Sequence, residues 1–312
     1  GGAITLGTVQ AFLQYVNQIA EPVTEASYVI TSLQAAIAGA ERVFALLDEE
    51  EERPDAAGDA SVITQGHVEF RHVRFGYTPE RTLIHDLNLE VRPNEMVAIV
   101  GPTGGGKTTL VNLLMRFYEL DGGSISIDGQ DITALPRGEL RRRIGMVLQT
   151  NILFSGTIRE NLSMGDRGAG EAQLCAALET AQAADFVAEA GGLDAVLVQG
   201  GVNLSGGQRQ RLSLARALVR GGAVLVLDDC TSALDPATER RVLDGLERRP
   251  GQAVLHITQK VRAARTADRI LVLEEGRQVG LGTHRSLLDT CPTYREIWAS
   301  QAPEEEGEDG TR

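Results

Sequence analysis

The stretch MVAIVGPTGGGKTTLVNLLMRFY, residues 96–118, decides the fold. Its first five residues are an unbroken apolar run, as expected of a parallel strand buried on both faces. The nine that follow, GPTGGGKTT at 101–109, fit G-x-x-x-x-G-K-[ST], with Gly101, Gly106, Lys107 and Thr108 at the fixed places and Gly104 and Thr109 beside them. The glycines let backbone N–H groups curl around phosphate oxygens, and the helix that starts at the lysine offers its positive end to the same anion. Lys107 can reach the outer phosphates of a nucleoside triphosphate such as ATP, and the Thr108 hydroxyl can ligate Mg2+. A glycine-rich turn could match this pattern by chance. The strand before it and the helical pattern after it argue against that.

Outward from this loop, short apolar or alternating runs recur: HVEFRHVRF, LIHDLNLEV, SISIDG, IGMVLQ, AVLVLD, AVLHIT and RILVLEEG. Helical patterns separate several of them. The layout is α/β with a parallel core sheet, and the Ala- and Glu-rich stretch from about 157 to 192 reads as a helical insertion without a strand. AVLVLD ends on Asp228, a carboxylate delivered beside the phosphate loop, where Mg2+ would be held. A strand-ending Asp that merely caps a helix is the plainer alternative.

Bulk properties bound the rest. The chain has 312 residues and a net charge of −13, so counterion release on DNA or RNA is not available to it and nucleic acid is an unexpected partner. Cys175, Cys230 and Cys291 are far apart and odd in number, which suggests a reducing compartment and no cysteine metal site. The sequence begins without Met or a signal peptide, and a fragment of a longer protein is the expectation. Residues 1–47 carry helical spacing (Phe12, Val16, Ile19, then Val29, Leu33, Ile37), but Glu21, Pro22 and Glu25 interrupt the middle. On hydropathy alone this favours a soluble or partner-packed helix over a membrane span. DEEEERPDAAGDAS at 48–61 reads as the core of a linker over 48–65, and residues 299–312 as an acidic, disordered tail. The triplet Arg141–Arg142–Arg143 reads as a solvated face.

NLSGGQRQRLSLARAL at 203–218 narrows the reading further. With LSGGQ at 204–208, the chain resembles the nucleotide-binding domain of ATP-binding cassette (ABC) transporters over residues 66–298. The resemblance implies a P-loop ATPase with an antiparallel β-subdomain and an α-helical signature subdomain added to the parallel core. It implies that two such domains sandwich two ATP molecules head to tail. Ser205, Gly207 and Gln208 would then meet ATP held by the other subunit, and SALD at 232–235 would cross the interface. Tyr77 matches the aromatic that stacks on adenine, and Gln149 the glutamine that touches Mg2+. GTVQAFLQYVNQIAEPV and AERVFALLD resemble the end of an exporter's membrane domain, which reverses the hydropathy reading. Residues 1–47 would be the last membrane helix and its cytoplasmic extension. The protein would lie in the plasma membrane with its nucleotide domain on the cytoplasmic side, paired with a second half-transporter.

Three departures from that pattern stand out. The family places Glu after the magnesium Asp as general base or water-orienting group; here it is Asp229, one methylene shorter. The family's switch histidine after the next strand is Gln259, while His256 lies three residues earlier, where strand alternation turns it to the other face. Gln199 stands before the signature where exporters often carry an acid. An intact phosphate loop, magnesium Asp and signature, with altered positions nearest the chemistry, suggest a slow site in one half of a heterodimeric exporter. Two alternatives stay open. Asp can serve as a base, which would allow an active homodimer. A soluble cassette ATPase would differ in membrane fractionation.

Overall fold

The computed structural model describes residues 5–52, 54–56, 58, 63–247 and 251–301. The acidic tail expected at 299–312 therefore lies mostly outside the described residues. The chain divides into two compact units, Gly1–Pro54 and Asp55–Arg312.

The first unit is one helix, α1 (Leu6–Leu47), 42 residues long, with Pro22 inside it and no buried residue. Thr5 caps it, accepting from the Thr8 N–H. An 18-residue window reaches a mean hydropathy of 1.3, so the helix is long and apolar enough to cross a membrane by length and composition.

The second unit starts with two strands, β1 (Val68–Phe75) and β2 (Ile84–Val91), followed by β3 (Met96–Val100) and the helix α2 (Lys107–Leu114). Strands β4 (Gly122–Ile127) and β5 (Gln130–Asp131), helix α3 (Arg137–Arg142) and strand β6 (Ile144–Val147) come next. Then follow β7 (Gly156–Thr157), the helices α4 (Ile158–Ser163), α5 (Glu171–Thr180) and α6 (Ala184–Glu189), and β8 (Val196–Leu197). The second half holds α7 (Gly206–Arg220), β9 (Val224–Asp228), α8 (Pro236–Glu247), β10 (Ala253–Ile257) and α9 (Val261–Ala264). It closes with β11 (Arg269–Glu274), β12 (Arg277–Gly282), α10 (His284–Thr290) and α11 (Pro292–Gln301).

The main sheet has the order β12-β11-β3-β10-β9-β6. Every residue of β3, β9 and β10 is buried. Alternate residues feed two cores: Ala98, Leu225 and Leu227 face one, while Val97, Ile99, Val224 and Val226 face the other. Burial on both faces is why these strands read as unbroken apolar runs. The sheet is mixed, not purely parallel: β12 returns antiparallel to β11 through a two-residue turn, Glu275–Gly276, both with positive φ. Such a turn matches the twist of the strands it joins. An antiparallel sheet of order β2-β1-β4-β5 packs its own alternate residues into the second core. In β1 the alternation slips between Phe70 and Val73 at a bulge, where His72 takes a φ of 49° and its N–H donates to Asn88 Oδ1.

The helical insertion is framed by a short antiparallel ribbon, β7 with β8, that its composition did not signal. The arginine triplet is not a uniform solvated face. Arg141 donates to the carbonyls of Met115 and Arg116 and lies over the Phe117 ring, while Arg142 pairs with Glu139 at the surface.

Candidate functional site

Parallel topology brings the carboxyl ends of β3, β9 and β10 to one edge of the sheet, and the candidate site is built there. Gly101 follows β3 with φ 151°, and a Cβ on it would stand 2.0 Å from the carbonyl oxygen of Leu273 on β11. Gly106 caps α2 in the left-handed region, φ 96°, without a side-chain cap. The Gly105 N–H closes a turn onto the Pro102 carbonyl, and the first-turn N–H groups of α2, which have no partner within the helix, open at the end that meets the cleft.

That cleft, about 260 Å³, is lined by Gly104, Gly106, Lys107, Thr108, Thr109, Gln149, Asp228, Asp229 and Gln259, with Thr103, Leu83 and Ile257 completing the wall. Lys107 is 8% exposed, and its Nζ donates to the carbonyls of Gly101 and Pro102, each at 2.8 Å. Burial lowers its pKa, and the charges of Asp229 and Asp228 oppose that shift. Asp228 is 3% exposed; burial raises its pKa, and a hydrogen bond from Thr108 opposes the rise. The Asp229 carboxyl is likewise raised, chiefly by burial, and is partly compensated by the Gln259 backbone N–H. Asp229 sits at φ 48°, a left-handed conformation that Asp tolerates better than most side chains, so the chain turns sharply where β9 ends.

Gln149 follows β6 and reaches the cleft from the sheet's far edge. Tyr77 is 49% exposed just outside it; its hydroxyl lies 3.1 Å from Thr109 Oγ1, and its ring is braced edge-on by Phe75 and Tyr118. Ser205, Gly207 and Gln208 do not line the cleft. They open α7 as a capping box: Ser205 Oγ accepts from the Gln208 N–H at 3.2 Å, and the Ser205 N–H donates to Gln208 Oε1 at 2.9 Å.

Comparison with known proteins bears on the family and the fold. The family profile described as ABC transporter matches residues 84–232. A fatty acid ABC transporter ATP-binding/permease protein of Mycobacterium bovis is 43% identical over 299 residues, which is 95% of this chain and 47% of that protein. An ATP-dependent lipid A-core flippase of Desulfotalea psychrophila is 41% identical over 305 residues, 96% of this chain and 53% of the relative. A solved bacterial Atm1-family ABC exporter with ATP bound superposes with a TM-score of 0.79 at 36% identity, covering 97% of this chain and 54% of that one. The chain carries the nucleotide-binding domain of an ABC transporter. It spans about half the length of the curated relatives it matches.

Within this ABC domain, the residues that the sequence marks for phosphate, metal and water line one cleft, apart from Gly101 at the base of the loop, and those marked for a second nucleotide fall outside it. His256 is completely buried in β10, with no partner for either ring nitrogen among the described residues. His256 lies inside β10, whose last residue, Ile257, reaches the cleft wall, and Gln259 lies beyond the strand, so the two are not related by strand alternation.

Two further residues hold the domain's site together and gave no motif signal of their own. Gln210 on α7, 4% exposed, donates to Ser232 Oγ and accepts from the Ala233 N–H, gripping the 232–235 loop. Lys260 donates to the carbonyls of Thr231 and Leu234 and pairs with buried Glu239 at 3.3 Å. Gln210 sits two residues past LSGGQ and could have been found by asking what the inward face of that helix touches.

Proposed function

We propose that the chain is the ATP-binding half of an exporter subunit, and that the site built on its own phosphate loop binds ATP but hydrolyses it slowly. The observation that carries this reading is the pairing of Asp229 with Gln259 in an otherwise complete cleft.

Lys107 and the loop N–H groups hold the β- and γ-phosphates. Thr108 Oγ, the Asp228 carboxylate and the Gln149 amide oxygen are a hard-oxygen donor set suited to Mg2+, which keeps several waters and takes few protein ligands. When bound, Mg2+ would neutralise charge developing on the phosphate oxygens. Asp229 orients the attacking water and accepts its proton. Its carboxylate is withdrawn by about one C–C bond relative to Glu, and a displacement near 1 Å costs roughly 100-fold in rate. Gln259 can donate a hydrogen bond to the γ-phosphate but cannot become cationic.

Ser205, Gly207 and Gln208 would complete the site of a second half-transporter, with α1 as the last membrane helix and its cytoplasmic extension. A bilayer core takes about 20 helical residues, so roughly half of α1 would project beyond it. On this reading residues 48–65 are the linker and 66–298 the cassette. The relatives named for fatty acid and lipid A-core favour an amphiphilic cargo.

The test is Mg-ATP turnover of the chain beside its Asp229→Glu/Gln259→His double variant, with ATP affinity measured for both. The expected outcome is equal affinity and a gain of about 10–100-fold in the variant. Equal turnover in the two would discard the slow-site reading and favour a homodimer with two active sites.

A further inference from the structure

Gln259, which lines the cleft, is held from outside it. Gln301, at the end of α11, donates from Nε2 to the Gln259 carbonyl at 2.7 Å and accepts from the Val261 N–H on Oε1 at 2.9 Å. The Asp229 N–H donates to the Ile257 carbonyl at 2.9 Å, and the Gln259 N–H opposes the burial-driven rise in the Asp229 pKa. The Gln259–Val261 segment therefore lies between the end of α11 and the acid that faces the nucleotide.

The arrangement answers a local need. α9 begins at Val261, and its N-cap residue Lys260 makes no side-chain cap bond. Gln301 supplies from a distant segment an acceptor for the N–H of the helix's first residue, one of the donors that have no partner within the helix. It is presented by an anchored helix. Tyr294 is fully buried, its hydroxyl 2.8 Å from His284 Nδ1, and Trp298 packs edge-on against the His284 ring. Thr293 donates to Glu274 at 2.8 Å.

We propose that Gln301 is a positioning residue of the nucleotide site: by fixing the Gln259–Val261 segment it keeps Gln259 beside Asp229 in the cleft wall and sets the reach of both side chains toward the γ-phosphate. This rests on the assignment of the cleft to ATP given above.

The test compares the parent chain with Gln301→Met, which keeps the length and removes both hydrogen bonds, and Gln301→Glu. In the latter the new carboxylate still accepts from the Val261 N–H but opposes the Gln259 carbonyl with a second acceptor until it is protonated. Single-turnover hydrolysis of labelled Mg-ATP, ATP affinity, melting temperature and Val261 amide exchange are followed together. The expected result is a turnover loss of about 5–30-fold in Gln301→Met at unchanged ATP affinity, within the scale of a sub-ångström misplacement. Faster Val261 exchange should accompany it. In Gln301→Glu, exchange protection should persist and turnover relative to the parent should recover as pH falls toward the carboxyl range. Unchanged turnover in both variants, a loss that follows affinity and melting temperature with no recovery on acidification, or a parent that binds ATP without measurable hydrolysis would each overturn the proposal. A parent that binds no Mg-ATP removes the cleft assignment itself, which separates that failure from this one.

Discussion

His256 shows how burial sets the behaviour of a single titratable residue. Enclosed in β10 with both ring nitrogens unpartnered among the described residues, it has its pKa lowered by desolvation from 6.5 to about 4. The folded state then binds fewer protons than the unfolded chain, so stability is full above pH 6.5 and falls as pH drops toward 4. The loss over that window is of order 3 kcal/mol. His256→Leu should flatten it: melting temperature in the variant should change little between pH 7 and pH 5, while the parent loses several degrees. Carboxylates with depressed pKa values, such as Asp128 and Glu95, act below their ordinary values of 3.8 and 4.5, and the raised carboxyls of Asp228 and Asp229 change stability in the opposite direction, so neither set produces a loss between pH 7 and pH 5. An unaltered acid limb in the variant would show that another group titrates there. At this scale the sequence was readable wherever chemistry requires a fixed spacing, as at Gly101, Lys107, Thr108 and Asp228. It was silent on Gln210, Lys260 and Gln301, whose partners come from distant segments and are settled only by packing.

At the scale of elements, α7 serves two needs with the same residues. Ser205 and Gln208 close its capping box, so the signature stabilises its own helix whether or not a nucleotide lies above it. Ser205→Ala should therefore cost about 0.5–2 kcal/mol in the isolated chain, read as a modest fall in melting temperature. ATP binding to this chain's own cleft should be unchanged, because Ser205 does not line it. In a mixture with a second half-transporter, turnover at the partner's site should fall by about tenfold or more, as expected for losing one polar contact to a charged phosphate. A Ser205 variant that weakens this chain's own ATP binding would contradict the two-subunit arrangement. Elements were legible from sequence where a strand is buried on both faces or a helix carries a motif. β12 was not, because RQVGLG is half-exposed and lacks an apolar run, and β7 and β8 are two residues each, too short to set a period. The bulge at His72 did leave a mark, since the apolar positions of HVEFRHVRF change parity from Val68 and Phe70 to Val73 and Phe75 across two polar residues.

For the whole molecule, the division between the two units predicts where stability resides. No residue of α1 is buried, and Phe12, Val16, Ile19, Val29, Leu33 and Ile37 all face outward, while both hydrophobic cores lie within Asp55–Arg312. Order at the start of the second unit is set by Asp128, whose carboxylate accepts from the N–H groups of Thr64, Gln65, Gly66 and His67, with Ile63 buried beside them. Removing residues 1–54 therefore leaves every one of these contacts in place. The shortened protein should melt within about 2 °C of the parent, since a 1 kcal/mol change shifts a domain of this size by about 2–4 °C. Its ATP affinity should be unchanged. What it should lose is association with phospholipid vesicles or detergent. That association should resist high salt, because Arg42 is the only cation within α1 and the driving force is burial of apolar surface, which added salt does not screen. A shortened protein that melts several degrees lower would mean that α1 contributes to the fold. Binding of the parent that disappears in high salt would mean that charge, not the apolar surface of α1, holds it to the membrane.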